Sequence, residues 1–73
     1  MKFDLDDKAK VSANMSNGNI YKIVEINLAH NIYLVECVEY YGPEDIGDGI
    51  MIYGLDHQVW VAAYCFDWMT QKL

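Results

Sequence analysis

Four short stretches of apolar residues, which in part alternate with polar ones and are bounded by turn residues, predict β-strands. The stretches are residues 20–28, 32–41, 50–53 and 58–62. The first two are the longest and are rich in β-branched and aromatic residues, which favour strands. Looser alternation over residues 2–15, which takes in Val11, Ala13 and Met15, predicts an extended N-terminal arm that leads into a first strand.

Glycine, asparagine and aspartate separate these stretches and predict tight turns. The Asn17-Gly18 step is the strongest turn signal, because both residues tolerate positive φ. Further turns are predicted at Ala29–Asn31, in the acidic glycine-containing loop 42–49 and at residues 54–57.

The C-terminal region allows two interpretations. In the first, a strand at 58–62 is followed by a short helical turn over 63–67 and a frayed tail over 68–73. In the second, one amphipathic helix runs through residues 57–72, since apolar residues also recur there at helical spacing. We favour the first interpretation and keep the second as an alternative, because short apolar runs are ambiguous by periodicity alone.

Four or five short strands joined by tight turns predict a mainly β fold, either a small barrel or a strongly bent antiparallel sheet. We expect one domain over residues 1–73, with an extended arm at 1–8 and a frayed tail at 68–73. The chain resembles small SH3-like barrels over residues 8–67. The pieces that carry this resemblance are Gly18–Leu28, Asn31–Glu36, Gln58–Val61 and Ala63–Phe66.

The resemblance implies a final strand and a one-turn helix at the end of the barrel. It does not extend to recognition of proline-rich peptides, because the chain lacks the clustered aromatic residues that peptide-binding SH3 domains carry near their first loop.

The charge distribution limits the classes of partner. The chain has 73 residues, of which 53% are hydrophobic and 14% aromatic, and a formal net charge of −6. It contains no arginine, and residues 23–71 contain no basic side chain. Phosphate backbones and anionic membranes repel such a surface, so we expect no direct nucleic-acid or membrane binding. A basic protein segment fits the charge better, although a charged face that only keeps the protein soluble explains it equally well.

Other sequence features bear on the cellular compartment of the protein and on its oligomeric state. No signal peptide is evident before residue 10, no apolar run approaches the roughly 20 residues that span a bilayer, and cysteines are sparse. We therefore expect a monomer in a reducing cytoplasm, with Cys37 and Cys65 as free thiols.

The residue types for catalysis and metal binding are present, but their spacing does not support either. Cys37, Cys65, His30 and His57 lack the close ligand pairs of structural zinc sites. Glutamates on both sides of Cys37 disfavour a reactive thiolate. The acidic loop 42–49 has neither the lysine of a phosphate-binding loop nor the alternating aspartates of an EF-hand. We expect no enzyme activity, no cofactor and no bound metal.

Aromatic and acidic residues concentrate in the second half of the chain and form the predicted partner-binding set. Tyrosine and tryptophan are enriched at protein interfaces, and carboxylates attract lysine and arginine of a partner. The set is Glu36, Glu39, Tyr40, Tyr41, Glu44, Asp45, Asp48, Tyr64 and Trp68. Within the aromatic residues we expect Trp60 and Phe66 to fill the core, and Tyr41 and Trp68 to be exposed.

The small size, acidity and absence of arginine also resemble small phage-encoded transcription regulators that attach to bacterial RNA polymerase. This resemblance implies binding to a basic segment of the polymerase, inhibition of transcription initiation and suppression of termination in the host cytoplasm. Two alternatives remain, an acidic nucleic-acid mimic that inhibits a host defence enzyme and a small structural subunit of a phage particle. The net charge of −6 is low for a mimic.

Overall fold

The computed structural model describes residues 1–12, 14 and 16–73. These described residues form seven strands and one helix. In chain order they are β1 (Lys8–Val11), β2 (Ile20–Asn27), β3 (Ile32–Glu39), β4 (Glu44–Asp45), β5 (Met51–Ile52), β6 (Gln58–Ala62), α1 (Ala63–Met69) and β7 (Thr70–Lys72). The four strand stretches predicted from alternation are thus confirmed. The predicted alternation at Ala13 and Met15 lies outside the described residues.

Five of these strands form one antiparallel sheet in the order β6-β3-β2-β1-β7, and β4 pairs with β5 in a separate hairpin. The register between β2 and β3 shifts at two places, between Ile20 and Tyr21 and between Ile23 and Glu25. Such shifts increase strand twist and bend the sheet. The prediction of a mainly β, strongly bent sheet with a short C-terminal helix is therefore confirmed.

The sheet does not close into a barrel through strand pairing, because its edges β6 and β7 are connected by α1 and are not neighbours in the strand order. The expectation of a frayed C-terminal tail was wrong. The tail 68–73 is not frayed, since Trp68 and Met69 belong to the helix and β7 pairs with β1. The alternative long helix over 57–72 is also excluded, because residues 58–62 pair with β3 as a strand.

The concave face of the sheet carries the core, and Phe66 of α1 lies at its centre. The Phe66 ring makes edge-to-face contacts with the rings of Phe3, Tyr21 and Tyr33, at centroid distances of 5.4, 6.4 and 5.8 Å. Such pairs add to the stabilisation that burial of their large surfaces already gives. The N-terminal arm, the helix and the β4-β5 hairpin each contribute buried side chains to this core.

The arm is held against the rest of the fold by hydrogen bonds at both ends. The Lys2 backbone N–H donates to Asp67 Oδ2 (3.1 Å), and its ammonium donates to the carbonyls of Asp67 and Thr70 (3.1 and 2.5 Å). Further along, the Asp6 N–H donates to the Ile23 carbonyl (2.8 Å). The arm therefore forms a fixed layer of the structure and joins α1 to β2.

Within the part of the chain that the structure describes, no helix is long and apolar enough to span a membrane.

Candidate functional site

The exposed face of α1 carries two aromatic residues one helical turn apart. Tyr64 is 72% exposed and Trp68 is 85% exposed. Residues at i and i+4 lie on the same helix face, whereas Phe66 and Ala63 of the same helix are buried in the core. Large exposed aromatic side chains on a rigid element are typical of protein-binding surfaces.

The loop between β4 and β5 lies against this helix because Gly47 has no side chain. A Cβ at Gly47 would lie 2.9 Å from the Cys65 Cβ and 3.0 Å from a Val61 methyl group, and its φ of +152° is one that other residues rarely adopt. The Asp45 carboxylate accepts a hydrogen bond from the Gly47 N–H (2.8 Å) and fixes the turn. Glycine at this position thus allows the loop to pack closely on α1.

This packing brings the Asp48 charge close enough to Tyr64 to act on it. The pKa of Tyr64 is raised above its ordinary value, first by its hydrogen bond to the neighbouring Cys65 thiol and then by the charges of Cys65 and Asp48. The Asp48 side chain is exposed, and its φ of +50° is in the left-handed region that aspartate tolerates. We call Asp48, Tyr64 and Trp68 the helix–loop surface.

The other predicted partner-binding residues lie elsewhere or serve the fold. Glu39 and Tyr41 form an exposed pair, in which the Tyr41 hydroxyl donates to Glu39 Oε1 (2.8 Å), and this bond raises the Tyr41 pKa. Glu36 accepts a hydrogen bond from Gln58 (2.7 Å) on β6, and Tyr40 packs against the core. Among the described residues, no hydrogen bond joins the Glu39–Tyr41 pair to the helix–loop surface.

Glu44 was expected to be a surface charge, but it is only 4% exposed. Its Oε1 accepts a hydrogen bond from the Tyr21 hydroxyl (2.7 Å), and its Oε2 accepts one from the Asn17 N–H (2.8 Å). Asn19 completes the cluster by donating to the Tyr21 hydroxyl oxygen (3.0 Å) and to the Gly42 carbonyl (2.8 Å). Burial and the Glu44 carboxylate together raise the pKa of Tyr21. Glu44 therefore holds the segment 16–19 to the hairpin and is unavailable to a partner.

The exposure predictions for single aromatic residues had different outcomes. Tyr41 (66% exposed) and Trp68 are exposed as expected, and Phe66 is buried as expected. The prediction for Trp60 was wrong, since it is 42% exposed. Trp60 lies opposite Leu34 across the β3-β6 pair, and alternate residues of a strand face opposite sides, so it points away from the core with Leu34.

Sequence patterns also missed exposed aliphatic residues, of which Leu5, Leu28 and Leu55 are each more than half exposed. All three lie in or next to turns, a position that predicts exposure better than side-chain hydrophobicity does.

The lysines are confined to one part of the fold, whereas carboxylates occur throughout it. Every lysine lies on the arm, β1, β2 or β7, and Lys8 and Lys22 are direct cross-strand neighbours. The segment from β3 through α1 contains carboxylates and no lysine, so the helix–loop surface is anionic. Opposite charge on a partner would increase the rate of association with this side of the molecule.

The thiols and histidines do not converge on a reactive centre. Cys37 is buried, and burial is the main reason that its pKa is raised, which suppresses the thiolate. Among the described residues, no group of three or more histidine, cysteine, aspartate or glutamate side chains is arranged to hold a metal ion.

Comparison of this chain with protein-family models, curated proteins and solved structures gives no match. The assignment of a site therefore rests on the chemistry of its own residues.

Proposed function

We propose that this protein is a non-catalytic regulator that binds a basic segment of a larger protein through its helix–loop surface. The observation that carries the proposal is the exposure of Trp68 and Tyr64 on one face of α1, beside the Asp48 carboxylate. Burying an exposed tryptophan and tyrosine supplies contact area with few rotatable bonds to immobilise. A lysine or arginine of the partner would pair with the carboxylate and stack on an aromatic ring.

The partner that we propose is a basic segment of bacterial RNA polymerase, with inhibition of transcription initiation in the bacterial cytoplasm as the consequence. The support is the size and acidity of the chain together with an anionic aromatic surface on a fixed helix. The mechanism is occupancy. A segment of the polymerase that is bound to α1 is unavailable for the contacts that initiation requires.

The test is capture of partners from bacterial lysate by the tagged protein, at low and high salt, with identification by mass spectrometry. We expect recovery of polymerase subunits that falls at high salt, because charge attraction between exposed groups is screened. Trp68→Ala is expected to abolish recovery. Tyr53→Ala is the matched control, since Tyr53 is 66% exposed and lies outside α1 and the loop that packs on it.

Recovery that is equal for Trp68→Ala and the unmodified protein would refute the assigned surface. Recovery of a defence nuclease in place of polymerase would refute the assigned partner.

A further inference from the structure

A second surface, distant in sequence from the helix–loop surface, has the form of a docking groove. It is a shallow groove of about 530 Å³ between the N-terminal arm and the end of β2. Its apolar walls are formed by Met1, Leu5, Val24, Ile26 and Leu28, and we call it the arm groove. The volume lies within the range of roughly 300–1,000 Å³ that is typical of ligand sites.

The apolar residues of the arm groove are unusually accessible to solvent. Met1 is 50% exposed, Leu5 58% and Leu28 74%, and they line one continuous depression. Single exposed apolar side chains are common on proteins, whereas a contiguous group of large ones marks an interaction site.

The walls of the groove are fixed in position before any ligand binds. The Asp6 N–H donates to the Ile23 carbonyl (2.8 Å), and the Ile23 N–H donates to the Asp7 carbonyl (3.0 Å). The Phe3 side chain is buried, and its N–H donates to the Tyr33 hydroxyl oxygen (3.3 Å). A ligand therefore does not bear the entropic cost of ordering the arm.

The charged residues at the rim of the groove indicate the charge of a segment that could bind there. Asp4 and Glu25 line the groove. Lys2 does not line the groove, and its ammonium is held by the backbone carbonyls of Asp67 and Thr70. The charged side chains that line the groove are therefore both carboxylates.

We propose that the arm groove binds a protein segment that carries an apolar side chain flanked by lysine or arginine. The apolar side chain lies between Leu5 and Leu28, and the flanking cations pair with Asp4 and Glu25. This site is separate from the helix–loop surface and does not depend on the identity of the partner proposed for that surface.

The experiment is an NMR titration of the isotopically labelled protein with a short synthetic peptide that has one leucine between pairs of lysines. One comparison peptide replaces the leucine with glycine, and another replaces the lysines with glutamate. We expect shifts of the amide signals of Leu5 and residues 24–28 with the first peptide only. Equal shifts with the glutamate peptide, or shifts confined to other residues, would overturn the proposal.

Variants with matched exposure test the site itself. Leu28→Ser is expected to weaken binding of the lysine–leucine peptide roughly tenfold, which corresponds to the loss of one leucine contact. Leu55→Ser is the control, because Leu55 is 59% exposed in the turn before β6 and outside the groove. Equal weakening by both variants would contradict the assigned site.

Self-association and the helix–loop surface are each tested by one further measurement. Shifts of the groove signals with protein concentration, in the absence of peptide, would mean that a second copy of the chain occupies the groove and would overturn the proposal. Trp68→Ala is expected to leave peptide binding unchanged, so failure of the helix–loop surface and failure of the arm groove are distinguishable.

Discussion

Two regions of this molecule combine tyrosine with a carboxylate, and they have opposite roles. In the buried cluster, Tyr21 donates to Glu44 and both side chains are almost completely inaccessible to solvent. At the helix–loop surface, Tyr64 and Asp48 are exposed, and Trp68 lies on the same face of α1 as Tyr64. The same residue types stabilise the fold in the first region and are available to a partner in the second. What separates these roles is whether the surrounding backbone encloses the pair.

The comparison predicts that substitutions in the buried cluster affect stability most. Glu44→Ala leaves the buried Tyr21 hydroxyl and the Asn17 N–H without their acceptor. We expect a loss of about 2–4 kcal/mol in the free energy of unfolding, since an unpaired buried donor retains its full desolvation cost. Urea denaturation measures it. Asp48→Ala is the control, and an equal loss in both variants would contradict the comparison.

Gly47→Ala is expected to have the next largest effect, because it pushes the loop away from α1. The added Cβ would meet the Cys65 Cβ at 2.9 Å, in a backbone conformation that alanine rarely adopts. We expect a destabilisation of about 1–3 kcal/mol, measured by urea denaturation. Because the loop carries Asp48, partner binding should also weaken. Gly49→Ala is the control, because Gly49 also has a positive φ but a Cβ there would have no neighbour within 4 Å. An unchanged stability for Gly47→Ala would show that the loop does not depend on this contact.

Alkaline pH provides a third test of the buried tyrosines. Burial, and then the hydrogen bond to Asp67, raises the pKa of Tyr33 to about 12 from its ordinary value of 10.0. Because the pKa of Tyr33 is higher in the folded than in the unfolded state, its contribution to stability is fully present below pH 10. That contribution is lost as the pH rises through about 12. We therefore expect the free energy of unfolding to fall between these pH values.

Two measurements check this pH dependence. Tyrosine absorbance reports the pH at which the tyrosines ionise, and urea denaturation at each pH reports the free energy of unfolding. Tyr33→Phe should flatten the fall in stability, whereas Tyr53→Phe should not, because Tyr53 is exposed. A fall that is identical in all three proteins would assign the effect to other groups.

Substitutions on the helix–loop surface are expected to have the smallest effect on stability. Trp68→Ala and Tyr64→Ala remove side chains that are 85% and 72% exposed, so the free energy of unfolding should change by no more than about 0.5 kcal/mol. Thermal unfolding measures this change. A destabilisation above about 2 kcal/mol would mean that these aromatic residues support the fold and do not form a free surface.

The strands were predictable from sequence because alternation and turn residues are local signals. Gly18 adopts a positive φ, and the β-branched run in β2 forms a strand, through their own backbone preferences. The tail was predicted wrongly because β7 exists only through its pairing with β1, some 60 residues earlier in the chain. Its own sequence, Thr70–Lys72, contains no strand signal beyond one threonine.

The candidate site was predictable only in part, for the same physical reason. Trp68 was expected to be exposed in a frayed tail, and it is exposed for a different reason, because it lies on the outer face of α1. The burial of Glu44 could not be inferred, because its donors, Asn17 and Tyr21 of β2, precede it by more than twenty residues. The contact between Gly47 and Cys65 is likewise tertiary, and no local pattern encodes it.

The most direct test of the central proposal is the equilibrium affinity of purified bacterial RNA polymerase for the intact protein, Trp68→Ala and Tyr53→Ala. The proposal predicts that Trp68→Ala weakens binding by about 30-fold or more, the loss expected of an interface residue that contributes at least about 2 kcal/mol, while Tyr53→Ala binds like the unmodified protein. Equal affinity of the polymerase for Trp68→Ala and the unmodified protein, or no binding by any of the three, would contradict it.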